Sequence, residues 1–437
     1  MTTTVENQSA REPRRRHLCM VARGGCEGTG GLATYMRELG LGLRDAGWEV
    51  SAAVRFRAET PRGCEYHLWE APGPAADAPF PTRIIAPGAG YVPVLKRLTS
   101  LLTRPALRPL ALSLFRAAYG RALRAVIPES ATHLHYVGTG WELLGFAALD
   151  EARRRGIPIT CHPAVHPGTW GDGPLDIALY ARLGAVLAQS EYEKRHLTDR
   201  GVSPEKIFVY GLGASSVPPT GDGAAFRARH GIGNRPVVLF IGRRQRYKGY
   251  HALAEAMAQV RESVPDALLV CVGPWGEPPY PELPEGALLD LGRVSEEEKE
   301  DALAACDVFC LPSTDESFGL VYVEAWRYGK PVIAGPAPAV REMVRDGENG
   351  YCLPQDPETI AGALTRLLRD EALCARMGAA GNALYQMLYT WPRVVEEYVR
   401  VVEAIRPDQS GELPTPPHVV APANGAEASD LTGIAKS

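Results

Sequence analysis

The chain has 437 residues, 45% of them apolar, with 47 Lys and Arg against 51 Asp and Glu and a formal charge of −4. That length allows two or three domains with full-sized cores, and so small a charge gives no global field, which excludes nucleic acid as an expected partner. Nine cysteines without a CxxC pair fit reduced thiols in a cytoplasmic protein rather than a disulfide scaffold.

Residues 1–16 carry Arg11 and Arg14 to Arg16, but the apolar run behind them breaks at Arg23, Gly24 and Gly25. No signal peptide is expected there, only a disordered tail, and nowhere does an apolar run reach the roughly 18 residues of a transmembrane helix. His17 to Ala22 reads as a strand running into a loop with Gly24, Gly25, Gly28, Gly30 and Gly31. A helix from Leu32 to Ala46 and a strand from Glu49 to Val54 complete a βαβ unit. The loop's spacing is not GxGxxG, so a dinucleotide fingerprint is not met. Its glycines still permit close approach of backbone to a ligand.

Residues 57–82, rich in Pro, Gly and Ala, read as a long loop. Beyond it no acidic residue occurs between Asp77 and Glu129, while Arg83, Lys96, Arg97, Arg104, Arg108, Arg116, Arg121 and Arg124 fall inside. Apolar residues fill the gaps at roughly helical spacing. Such a stretch either lies on an anionic membrane or grips an anionic acceptor, or it is a solvated face beside an acidic surface of the same protein.

Alternation then resumes, with strands at His133–Val137, Ile157–His162, Ala185–Ser190 and Lys206–Tyr210 and helices at Trp141–Arg154 and Glu191–Asp199. His162 ends its strand, where a side chain can reach a ligand, whereas His133 is assigned a structural role and His166 stays open. Ser215 to Asp222 marks a linker. After it come strands at Val237–Ile241, Leu268–Val272, Leu288–Leu291, Asp307–Leu311 and Pro331–Ala334, again alternating with helices. The fold class is therefore α/β, with two doubly wound parallel sheets. Cys306 and Cys310 have no His beside them and read as core. Pro407 to Ser437 reads as a second disordered tail.

Two stretches carry the chemistry. In IGRRQRYKGY, Arg243 and Lys248 follow a strand, at the edge where open α/β sheets take ligands, and two cations suit a diphosphate. In LPSTDESFGLVYVEAWRYGKP, a strand, a loop with Glu316 and Gly319, and a helix carrying Glu324 succeed one another. Carboxylates there accept hydrogen bonds from sugar hydroxyls, or merely suit the positive end of the helix.

Taken with GTGGLATYMRELGLGLRDAGWEV and AQSEYEKRHL, these motifs resemble the retaining, nucleotide-sugar-dependent glycosyltransferases of family four, across residues 17–406. The resemblance implies the GT-B fold, with a first domain over 17–215 that takes the acceptor and a second over 216–385 that takes the donor. It also implies a helix over 386–406 that crosses back. Arg243 and Lys248 would bind the donor diphosphate, Glu324 the ribose, and Glu316 with the backbone of Phe318, Gly319 and Leu320 the transferred sugar. Gly30 and Gly31 would approach the donor phosphates, His162 the donor sugar, and the Gly292–Val294 loop the base. His162, Glu316, Arg243 and Lys248 would then form the catalytic group.

The family's Asn-Gly-Val-Asp-like turn is replaced by LGASS, with Ser215 in the Asp position. No Asp-x-Asp metal motif occurs, so transfer is expected without metal or cofactor, cations standing in. The expected activity is hexosyl or N-acetylhexosaminyl transfer from a nucleoside diphosphate sugar to a small hydroxylated, natural-product type acceptor. Two alternatives stand beside it: a membrane lipid-linked acceptor, with residues 83–124 in peripheral contact with the inner membrane face, and a catalytically silent nucleotide-sugar-binding partner.

Overall fold

The computed structural model describes residues 16–27, 31–57, 78–87, 91–102, 104, 106–163, 165–214 and 219–405. Gly28, Gly30, Ser215, most of the 57–82 loop and all but one residue of the two tails lie outside them. The first sheet contains β1 (His17–Gly24), β2 (Glu49–Phe56), β3 (Thr82–Ile84), β4 (His133–Val137), β5 (Ile159–His162), β6 (Ala185–Ala188) and β7 (Ile207–Val209), in the order β3-β2-β1-β4-β5-β6-β7. The second contains β8 (Val237–Ile241), β9 (Leu268–Val272), β10 (Leu288–Gly292), β11 (Val308–Leu311), β12 (Val332–Ala334) and β13 (Gly350–Cys352), in the order β10-β9-β8-β11-β12-β13. Neighbours pair in parallel, as β1 does with β2 and β4, and β8 with β9 and β11. Strands buried on both faces are continuous apolar runs, which is why VVLFI and LLVCV were legible as strands.

The helices are α1 (Gly31–Asp45), α2 (Val92–Leu102), α3 (Arg108–Val126), α4 (Leu144–Arg155), α5 (Pro174–Tyr180), α6 (Glu191–Asp199), α7 (Gly223–Arg229), α8 (Tyr250–Ser263), α9 (Glu296–Ala305), α10 (Leu320–Arg327), α11 (Pro357–Arg369), α12 (Glu371–Leu388) and α13 (Trp391–Ala404). No described helix is long and apolar enough to cross a membrane. Contacts divide the chain into one unit of Met1–Gly138, Glu142–Cys161 and Ile405–Ser437, and another of Thr139–Trp141 and His162–Ala404.

Local chemistry sets the helix ends. Ser190, Ser295 and Asp356 each accept the third backbone N–H of the helix they precede, at α6, α9 and α11. The helix expected from Trp141 begins only at Leu144: a 3-10 turn, Gly140–Glu142, comes first, and Leu143 sits in the left-handed region at φ 61°. Cys306 and Cys310 are wholly buried in the core, and burial pushes both thiols up, Cys306 to about 12.

Two glycines inside α12 are demanded by packing. A Cβ at Gly378 would lie 1.8 Å from the Gly329 carbonyl oxygen, and one at Gly381 would lie 2.0 Å from the Trp326 indole. Gly362 of α11, by contrast, has nothing within 4 Å of that position. Gly378→Ala should therefore cost about 2 kcal/mol or more through forced displacement of backbone. Gly362→Ala should be neutral or stabilise by about 0.5–1 kcal/mol. Urea unfolding midpoints of the two variants check this, and equal effects would show that α12 tolerates the methyl group.

Candidate functional site

The loops after β8 and β11, which are neighbours in the second sheet, build the centre of the site. Gly249 caps α8 in the left-handed region at φ 79°, and a Cβ there would strike the Pro312 carbonyl at 2.5 Å. Thr314 donates its N–H to the Tyr247 carbonyl at 2.8 Å, and the Gln355 amide donates to both Tyr247 and Pro312 carbonyls. The two loops are thus one hydrogen-bonded piece.

Within it the expected residues come together. Lys248 Nζ donates to Glu316 Oε1 at 2.7 Å; the lysine is 18% exposed and the glutamate 9%. Arg243 is exposed, and its guanidinium has no hydrogen bond or ion pair among the described residues. Arg244, the next residue, turns inward to 0% exposure, donating to the Gly273 carbonyl and to Asp290. One arginine is therefore spent on the fold while its neighbour stays exposed.

Glu316 leads through buried Phe318 to Gly319, which caps α10 at φ 87° with the Tyr322 ring against the place a Cβ would occupy. Tyr322 donates to the Leu311 carbonyl at 2.6 Å and fixes the start of α10 on the end of β11. The half-buried Leu320 opens this helix. An α-helix has no internal acceptor for its first N–H groups, so this end suits hydroxyl-rich or anionic ligands.

Glu324, on the second turn of α10, is 7% exposed. Its Oε1 accepts from Lys299 Nζ at 3.1 Å, while Oε2 is buried with no partner. Burial raises the Glu324 pKa against the opposing pull of Lys299. Burial also works against the charge on Lys299, but the carboxylates of Glu324 and Glu296 outweigh it and raise that pKa. The half-buried Val294 precedes the cap of the helix that carries Lys299. Ends of β8, β10 and β11 thus supply Arg243, Lys248, Glu316, Glu324 and Val294 from one sheet edge. Gly31 is the exposed first residue of α1 in the other unit, with nothing within 4 Å of a built Cβ. Lys299, Arg244 and Asp290 were not anticipated; the i, i+3 spacing of Glu296 and Lys299 was the one available signal.

His162 departs from the expectation of a side chain reaching a donor sugar. It is 0% exposed, with Tyr210 Oη 2.8 Å from Nδ1 and Gln189 Nε2 3.1 Å from Nε2. Burial lowers its pKa to about 3, so the ring is neutral and serves the fold as a hydrogen-bonding wedge. His133 is half-buried against Thr132, and His135 is wholly buried between Tyr35 and Thr160. His166 lies 3.6 Å from Asp315 in the loop before Glu316.

A model of the glycosyl transferases group 1 matches residues 223–383, and one of the glycosyl transferase 4-like domain matches residues 30–213, together well over half of the chain. The chain belongs to the group 1 glycosyltransferases of the GT-B fold. A phosphatidyl-myo-inositol mannosyltransferase of Mycobacterium leprae is 37% identical over 38% of this chain and 46% of its own length. The chain therefore spans about half the length of the curated relatives it first matches. A D-inositol 3-phosphate glycosyltransferase of Acidothermus cellulolyticus is 29% identical over 85% of both chains. Sucrose-phosphate synthase from Thermosynechococcus elongatus superposes with a TM-score of 0.67 at 22% identity, covering 89% of this chain and 98% of that one. This likeness shows the fold.

The buried imidazole of His162 fixes a pH dependence. Unfolded, it takes a proton near pH 6.5; folded, it resists protonation down to about 3, so its contribution to stability rises with pH across that window. At pH 5 the penalty is about 2 kcal/mol. His162→Gln should shrink the difference in unfolding free energy between pH 7 and pH 5 by about that amount. Denaturant curves at the two pH values decide it, and an unchanged difference would mean that the folded ring titrates normally.

Proposed function

We propose that this chain transfers a hexosyl unit, with retention at the anomeric carbon, from a nucleoside diphosphate sugar to a hydroxyl of an inositol-bearing, phosphorylated acceptor held at a membrane. The observation that carries the donor half is the unpaired guanidinium of Arg243 beside the Lys248–Glu316 pair, at the C-terminal edge of a parallel sheet. A departing diphosphate gains negative charge as the glycosidic C–O bond breaks. Arg243, with a planar fork, and Lys248, with a point charge, suit that charge. Departure along the face that the acceptor approaches would let the β-phosphate oxygen take the acceptor hydroxyl's proton while the new C–O bond forms. Glu324 Oε2, an acceptor without a donor, suits a ribose hydroxyl. Glu316 and the N–H groups at Gly319 and Leu320 suit the transferred sugar.

The acceptor half rests on two supports. The relatives' names speak of inositol phosphate and phosphatidylinositol, which favours the lipid-linked alternative over the small natural-product acceptor first expected. In addition, Tyr91, Val94, Leu107, Leu110 and Leu114 are large apolar residues at least 37% exposed, on or beside α2 and α3, with exposed Lys96, Arg121 and Arg124 nearby in the acid-free stretch. Exposed apolar residues interleaved with cations suit an anionic bilayer surface. Arg116 belongs to the other reading of that stretch, since it holds Asp150 at 2.9 and 2.5 Å.

Mass spectrometry of products from a panel of UDP-, GDP- and dTDP-sugars, with phosphatidylinositol or soluble inositol phosphate as acceptor, tests the reading directly. Arg243→Ala should lower kcat on the order of 100-fold to 1000-fold. The unfolding midpoint should stay put, because the side chain is exposed and unpaired. Wild-type turnover by this variant would remove Arg243 from the site, and donor binding without turnover in every combination would leave a silent partner.

For the membrane half, cosedimentation with phosphatidylglycerol-containing vesicles is the measurement. Replacing Lys96, Arg121 and Arg124 by Gln should weaken partitioning roughly 100-fold, at about 1 kcal/mol per charge. Unchanged partitioning would return the segment to an ordinary solvated face.

A further inference from the structure

Trp275 is a large aromatic residue in an unusual setting. It lies in the Gly273–Tyr280 loop directly after β9, and it is 51% exposed. Single exposed aromatics are common and need no explanation; this one, however, is immobilised from below. The Arg244 guanidinium sits 4.6 Å from the ring centroid, and Arg244 itself is 0% exposed and locked by Asp290 and the Gly273 carbonyl. Tyr280 meets the ring edge-on at 4.5 Å. The backbone is equally fixed: Arg244 donates to the Pro274 carbonyl at 3.2 Å, Glu277 to the Arg244 carbonyl at 3.0 Å, and Gly276 to Tyr280 Oη at 2.8 Å.

The place of this ring in the sheet gives it meaning. With strand order β10-β9-β8, the loop after β9 stands between the one carrying Arg243 and the one carrying Val294. Gly273 donates to the Gly292 carbonyl at 2.6 Å, which draws the loops after β9 and β10 together. A nucleotide whose diphosphate meets Arg243 and whose base meets the loop of Val294 would span the loop after β9, which lies between them in strand order. We propose that the free face of Trp275 stacks on the planar base of the nucleoside diphosphate donor, with Arg244 as the positioning residue that holds the indole in place. The inference rests on the donor reading above and adds the group that recognises the base.

Stacking on a ring already held in one orientation costs little ordering entropy, and every base has a π-face to offer. The platform therefore contributes affinity for nucleotides as a class. Polar groups of the neighbouring loop would distinguish one base from another. The indole has no role in holding the diphosphate.

Isothermal titration of the full chain with GDP, UDP and inorganic pyrophosphate separates these roles. Trp275→Ala should weaken the nucleotide that binds wild type best by about 10-fold and leave pyrophosphate unchanged, whereas Trp275→Phe should restore most of the loss. Equal loss for nucleotide and pyrophosphate would overturn the assignment in favour of a loop-shaping role, and no loss would show that the ring does not meet the base. Wild-type protein that binds pyrophosphate but neither nucleotide would overturn both this assignment and the donor reading. Wild-type protein that binds nucleotide, with Trp275→Ala unaffected, overturns the assignment alone.

Discussion

Charge bookkeeping at the end of β8 is the constraint on which the site depends. The loop IGRRQRYKGY brings four cations to one sheet edge, and left unpaired they would repel one another in a half-buried place. Asp290 takes Arg244 and Glu316 takes Lys248, while Arg243 and Arg246 stay exposed. Two of the four cations are thereby paired and two are left without a carboxylate among the described residues. The two ion pairs also do mechanical work, since they tie the β8 loop to the ends of β10 and β11. Preorganisation of this kind is what gives charged groups leverage on a reacting phosphate, because they need not reorient as charge develops.

How much of this could be read from the sequence follows from how local each feature is. The sheets were legible because buried parallel strands are unbroken apolar runs, and VVLFI and LLVCV need no partner to be recognised. β3 and β13 were missed because each is three residues long, too short for a period to show. α12 was missed for a different reason. Its two glycines lower the helix propensity of the segment, yet Trp326 and the Gly329 carbonyl require them there. Tertiary packing overrides propensity at those two positions.

The candidate site divides along the same line. Arg243, Lys248, Glu316 and Glu324 stand out as candidates because each belongs to a contiguous motif beside a strand end. Which of two adjacent arginines would be buried was not legible, because Asp290 lies 46 residues away from Arg244. His162 shows the converse case. Its position at a strand end was legible, but Tyr210 and Gln189, which close over it, come from later strands and loops. A strand end is a place where ligands bind only if nothing else in the fold fills it first.

The groups left over are informative in energetic terms. A buried carboxylate oxygen without a donor, as at Glu324, costs on the order of 1–3 kcal/mol relative to a satisfied one. An exposed Trp backed by a buried guanidinium and an unpaired Arg243 are likewise features that the fold alone does not require. All three lie at the C-terminal edge of one sheet, whereas in unit one His17 and His135 are fully matched by hydroxyl partners. A ligand that satisfied such groups would regain on binding the stability forgone in folding.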